Sequence, residues 1–272
     1  MKLTFEDIPN AEALVDTLEE AIVEKPIRPK WCVPDLALDM VVGQLLLNAR
    51  GVLHLCSADL PGAAPAVARA AVEGMADALY LGLSPSEGQY AKRGARAAVG
   101  SSLALDRVHD GVHAALGALG SQRRRKRSKG QTLEDVATLE EEWAAEYRGA
   151  ERVLASARQS LENRGGQWHW SGLGREALHQ RAAALLDDGT LGPVFTSVYK
   201  SLSYQTHSLL SASVLQRLEP DRVKLDFGQD NERNRKLGLS SIQIACLGGI
   251  KALEDRFPGA IQPDKASGSE AS

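Results

Sequence analysis

Several things are scarce in this 272-residue chain, and each scarcity excludes something. Aromatic residues make up only 5% of it, and β-branched residues gather only in short runs, which weighs against a sheet-based fold. The three cysteines, Cys32, Cys56 and Cys246, stand far apart with no C-x-x-C spacing. A four-cysteine zinc site is thereby excluded, and the thiols read as small buried hydrophobes in a reducing cytoplasm. Cations are not in excess: the net charge is −3, so any nucleic-acid contact must come from a local patch. Glu6 and Asp7 stand where a signal peptide needs a basic and then an apolar stretch. No apolar run reaches the roughly 18–20 residues of a membrane span. Val41 to Leu55 comes closest, and Gln44, Asn48, Arg50 and His54 interrupt it. A cytoplasmic protein with no membrane segment is expected. The phosphate-loop, dinucleotide-binding, H-E-x-x-H and G-x-S-x-G signatures are all missing, so nucleotide-dependent and hydrolytic chemistry of those kinds is disfavoured and no cofactor is expected.

What is present is alanine and leucine in helical periodicity. Asn10 is placed to cap a first helix, Ala11 to Glu24, which Pro26 and Pro29 end. Pro34 fits the first turn of a long central helix over Asp35–Ser57. A third helix, Ala64 to Leu81, carries Arg69, Glu73 and Asp77 four residues apart, either as a solvated salt-bridge stripe or as a partly buried network. Ser84 or Ser86 can cap the next, which continues to about Leu119. Residues 120–131 hold five consecutive cations, Arg123 to Arg127, and read as a flexible loop. A charged helical arm follows over 132–164. The glycine-rich stretch Arg164 to Gly174 carries Trp168, His169 and Trp170, aromatics expected to plug onto a core. A short helix over Gly174–Leu186 and a longer one over Val194–Leu218 come next. The alternation Val223-Lys-Leu-Asp-Phe227 is strand-like, and Asn231 can cap a last helix, Glu232 to Arg256. The expected fold is all-α: a bundle of seven to nine helices, with a short β-hairpin near 222–228. Residues 1–259 are expected to form one domain and 260–272 a disordered tail.

Polar residues inside this apolar pattern supply the candidate sites. Tyr199, Ser203 and His207 recur every four residues along one core-facing helix, where they are costly to bury without partners. Histidine moves protons near neutral pH, so the line reads either as a catalytic or binding row or as a core histidine tying helices together. Lys200 precedes His207 with six residues between. This is similar to helical RNA-cleaving domains, in which an arginine and a following histidine line a cleft, usually at a dimer interface. There the cation stabilises the phosphorane and the histidine handles protons at the 2′-hydroxyl. Lysine at this place lacks the planar fork of arginine. His109 and His113, beside Asp106 and Asp110, have metal-ligand spacing, but no intervening glutamate and no third ligand in register, so a solvated face and no bound metal are expected.

Three pieces stand in order: Arg69-Ala-Ala-Val-Glu73, Trp170-Ser-Gly-Leu-Gly-Arg175-Glu176 and Tyr199-Lys-Ser-Leu-Ser203-Tyr-Gln-Thr-His207. Together they resemble a family of bacterial all-helical proteins catalogued only as a domain of unknown function, over roughly Leu36 to Leu253. Its members show an Arg–Glu core helix, a Trp-x-Gly-x-x-Arg-Glu turn and a Tyr-x-x-x-Ser-x-x-x-His helix, many with arginine where this chain has Lys200. Arg69, Glu73, Trp170 and Arg175 are accordingly candidate ligand-binding residues, and His207, Lys200, Ser203 and Tyr199 candidate catalytic ones. Two readings stand ahead of a third, a helical metal oxygenase or hydrolase using His109, His113 and nearby acids. One is a protein that binds or cleaves RNA in a phage-defence or toxin setting, with a homodimer as a compatible assembly. The other is a non-enzymatic module for a small molecule or protein partner, with a structural polar cluster.

Overall fold

Asn10 does what its position in the sequence asks: its side-chain Oδ1 accepts the Ala13 N–H at 2.8 Å and starts the first helix, α1 (Ala11–Glu19). The computed structural model describes residues 10–24, 32–100, 141, 143, 145, 149–162, 169–185, 196–202, 215–219, 222–225, 231–259 and 261. The wider turn Glu20–Glu24, a π-helical one, continues α1. Next come α2 (Val33–Ser57), a single 3₁₀ turn (Pro61–Ala63) and α3 (Ala64–Gly82). Residues 87–100 are helical (α4), followed by α5 (Ala150–Glu162), α6 (Arg175–Leu185), α7 over residues 196–202, and α8 (Asn231–Arg256). Two antiparallel strands, β1 (Leu215–Glu219) and β2 (Arg222–Leu225), form a hairpin with an irregularity between Arg217 and Glu219. The fold class is all-α, a multi-helix bundle.

Three expectations are corrected. The helix expected over Val194–Leu218 gives way to strand at Leu215, where the backbone takes its hydrogen bonds from Arg222–Leu225 instead of from its own turns. The arm expected as one helix is broken at Gly149, whose φ of +112° no helical residue adopts. And α2 is, by length and composition, long and apolar enough to cross a membrane.

The chain forms two compact units: Met1–Ile27, Val41–Leu83 and His179–Ser272 make the first, Arg28–Met40 and Ser84–Leu178 the second. In the first, α8 lies along α3 and also meets α1 and the 3₁₀ turn. Leu14 and Leu18, Leu45 and Val52, Val72 and Met75, and Ile242 and Leu253 supply its dry core. Arg50 of α2 closes an ion pair with Glu19 of α1. The α3–α8 approach is close because side chains are missing where the helices cross. A Cβ on Gly82 would stand 2.7 Å from the carbonyl oxygen of Ala252, and one on Gly248 would collide with Met75. Cys246, on the same helix, has no exposed surface, and burial pushes its thiol up to about 12.

In the second unit, Trp143 is buried among Val33, Ala91, Ala95, Val99, Leu154 and Ala157. Ser86 starts α4, accepting the Gln89 N–H on its hydroxyl at 3.3 Å. Tyr90 of α4 donates to buried Asp35 at 2.8 Å, which answers a carboxylate that would otherwise be costly to bury.

Two measurements check this packing. Alanine normally stabilises a helix over glycine by about 1 kcal/mol, but at Gly82 the clash should reverse the sign. Thermal unfolding of Gly82→Ala should show a loss of about 1–3 kcal/mol. The second is pH dependence. The unfolded Cys246 thiol ionises near its ordinary 9.0 while the folded one stays protonated to about 12. Its contribution is therefore complete below pH 9 and lost as pH rises from there. Urea midpoints should fall over that window, and less steeply in Cys246→Ala.

Candidate functional site

The alanines of α3 let it pack closely on most of its circumference: Ala68, Ala71, Val72, Met75, Ala76 and Leu79 are all fully buried. Residues left off that surface fall on one stripe, and Arg69 and Glu73 lie there one turn apart. Arg69 Nε donates to Glu73 Oε1 at 3.0 Å, with the two side chains 19% and 20% exposed. This is the partly buried alternative of the two weighed for the stripe. An open surface ion pair has a median worth of about 0–1 kcal/mol, and partial burial adds a desolvation cost as well as a stronger attraction.

Helix α7 brings Tyr199 to the same place. The Arg69 guanidinium lies over its ring, 5.7 Å from the centroid, a cation–π arrangement worth about 0.5–2 kcal/mol. His179 of α6 also packs on that ring. The two ring centroids are 3.8 Å apart, with the planes at 72°, an edge contact. His179 is buried at 5% exposure, on the side of α6 that also buries Leu178 and Ala182. Three helices thus meet through a cation on a ring and an imidazole against the same ring.

Residues expected at the site divide as follows. Arg69, Glu73 and Tyr199 come together. Lys200, the residue after Tyr199, is exposed. Ser203 and His207 lie outside the described residues, as do His109, His113, the basic run 123–129 and Trp168. Trp170 and Arg175 belong to the second unit. Trp170 is half-buried rather than a plug, its ring 5.3 Å from that of His169, and Arg175 is exposed as the first residue of α6. The turn that holds them is closed locally. Ser171 Oγ meets His169 Nδ1 at 2.8 Å and accepts the Leu173 N–H at 3.1 Å, while Gly172 takes φ +73°. Both groups of the Ser–His pair are spent on the turn, and Ser171 is 4% exposed, so the contact orders the loop and offers no accessible nucleophile.

His179 is the residue that sequence reasoning missed. Its spacing from Arg175 reads as a routine helical pair. The usable signal was its position between Leu178 and Ala182, on the apolar side of a short helix. Among the described residues, no group of three or more histidine, cysteine or acidic side chains is placed to hold a metal ion. Comparison with protein-family models, with curated proteins and with solved structures returns no match, and none of the three bears on the family resemblance drawn from the ordered motifs.

A double-mutant cycle tests the α3 pair. Glu73→Gln leaves the half-buried guanidinium without its carboxylate and should cost about 1–3 kcal/mol in urea unfolding. With Arg69→Met in the background, the same change should cost measurably less, a coupling of about 1 kcal/mol.

Proposed function

We propose that the protein binds RNA through the surface around Tyr199, and that cleavage, if it follows, falls to His207. The observation that carries this reading is the Arg69 guanidinium lying over Tyr199, whose sequence neighbour Lys200 is exposed. An exposed cation beside a ring held in place suits a phosphate backbone. The five-cation run Arg123 to Arg127 is a separate concentration of positive charge in the sequence of a chain of net charge −3. The resemblance of the Lys200–His207 spacing to helical RNA-cleaving domains supports the same reading, as does the family likeness to bacterial helical proteins. On this reading the protein is cytoplasmic and bacterial, works in phage defence or as a toxin component, and can act as a homodimer. Arg69, Glu73 and Tyr199 are the supporting shell, Lys200 the phosphate contact and Ser203 a further candidate catalytic residue. Trp170 and Arg175 are kept as candidate binding residues on the family likeness alone.

A second reading is favoured by a specific observation: His179 is almost wholly buried, and Glu73 already answers Arg69. On that reading the cluster is glue between helices in a non-enzymatic module for a small molecule or partner protein.

The two separate in one set of measurements on the full chain. A labelled single-stranded oligoribonucleotide should bind wild type, with affinity falling as salt rises. Lys200→Ala should weaken binding by about threefold to tenfold without altering the melting temperature, and His207→Ala should abolish any cleavage. Wild type that neither binds nor cleaves overturns the RNA reading. A loss of several kcal/mol in His207→Ala would favour the structural one.

A further inference from the structure

A histidine at a buried helical position needs a reason, because leucine would fill the same space without the cost of desolvating an imidazole. One contact that His179 makes there is with the ring of Tyr199. Edge-on aromatic contact is directional: the positive rim of one ring meets the negative face of the other, so it fixes tilt as well as distance. Aliphatic packing fixes neither. The Arg69 guanidinium over the same ring adds a second orienting contact, and Arg69 is itself held by Glu73. Tyr199 is therefore defined from two other helices, α3 through a cation and α6 through an imidazole.

We propose that His179 is a positioning residue of the Tyr199 site: it holds the phenol side chain in one rotamer, so that the C–O axis is presented to ligand in one direction. The inference rests on the reading that the surface around Tyr199 is where ligand binds. With its ring already engaged by Arg69 and His179, Tyr199 serves through its hydroxyl and not as a stacking platform for a base. His179 itself, at 5% exposure, touches no ligand.

The test uses the full chain and has one arm that needs no ligand. Aromatic NMR of wild type should show Tyr199 signals of an immobilised ring and His179 ring protons displaced by it. His179→Leu, which keeps bulk and loses the rim, should release the Tyr199 ring. His179→Phe, which restores an aromatic edge, should hold it. If the Tyr199 signals are the same in wild type and His179→Leu, the proposal is overturned. The second arm measures binding of the labelled oligoribonucleotide. His179→Leu should bind about tenfold more weakly, with His179→Phe close to wild type and Tyr199→Phe weakened like the leucine variant. Binding by folded His179→Leu equal to wild type overturns the positioning role. Should His179→Leu fail to fold, Tyr199→Phe decides: unchanged binding removes the hydroxyl from recognition, and the proposal with it. Absence of oligoribonucleotide binding by wild type refutes the RNA reading, and with it the role assigned here, while the NMR arm still reports whether the ring is held.

Discussion

The first unit depends on two helices coming close enough for backbone to touch side chain with nothing in between. At Gly82 and Gly248, α3 and α8 give up side chains so that Ala252 and Met75 can occupy the space. That contact has two effects. It excludes water along the seam, and the dispersion and hydrophobic gain there is set by fit more than by the size of any residue. It also fixes which way α3 is rotated. With its small residues turned toward α8, the stripe carrying Arg69 and Glu73 has to face elsewhere, and that is where Tyr199 and His179 arrive. The polar cluster is thus a consequence of an apolar contact on the same helix.

Within the cluster, no single interaction is strong. The Arg69–Glu73 pair keeps a fifth of its surface in contact with solvent, and the cation over the Tyr199 ring is worth about a kcal/mol. Their value lies in geometry. A charge pair orients a guanidinium, the guanidinium covers a ring, and the same ring meets a buried imidazole edge-on. Each group limits the freedom of the next, so the entropy cost of fixing Tyr199 is shared by partners that are already ordered.

Much of this was legible from sequence where the controlling chemistry is local. Asn10 and Ser86 were readable as caps because a cap needs only one short side chain and an N–H three residues on. Arg69 and Glu73 were readable as a pair because a helix places i and i+4 together wherever it sits. Tyr199 could be named as their partner only through the ordered motifs. The rest turned on information that a local pattern does not carry. Val214 to Leu218 suits helix and strand alike, and only pairing with Arg222–Leu225 decides it. Gly149 can adopt right- or left-handed backbone, and the sequence does not say which. His179 forms an ordinary i,i+4 pair with Arg175 in the sequence, which says nothing of its contact with Tyr199, twenty residues on in the chain. Trp143, unremarked among charged neighbours, is buried in the core of the second unit.

No disulfide joins the three cysteines. Cys246 is sealed inside α8 and held as the neutral thiol, and Cys56 is shifted the same way by burial, with Arg235 pulling weakly against it. Peroxide and electrophiles attack the thiolate, so oxidative stress would find almost no purchase on these two positions while the helices stay closed. Oxidation at Cys56 or Cys246 in a cell would therefore mark molecules that had already come open, and the pair would record a history of unfolding rather than sense redox state.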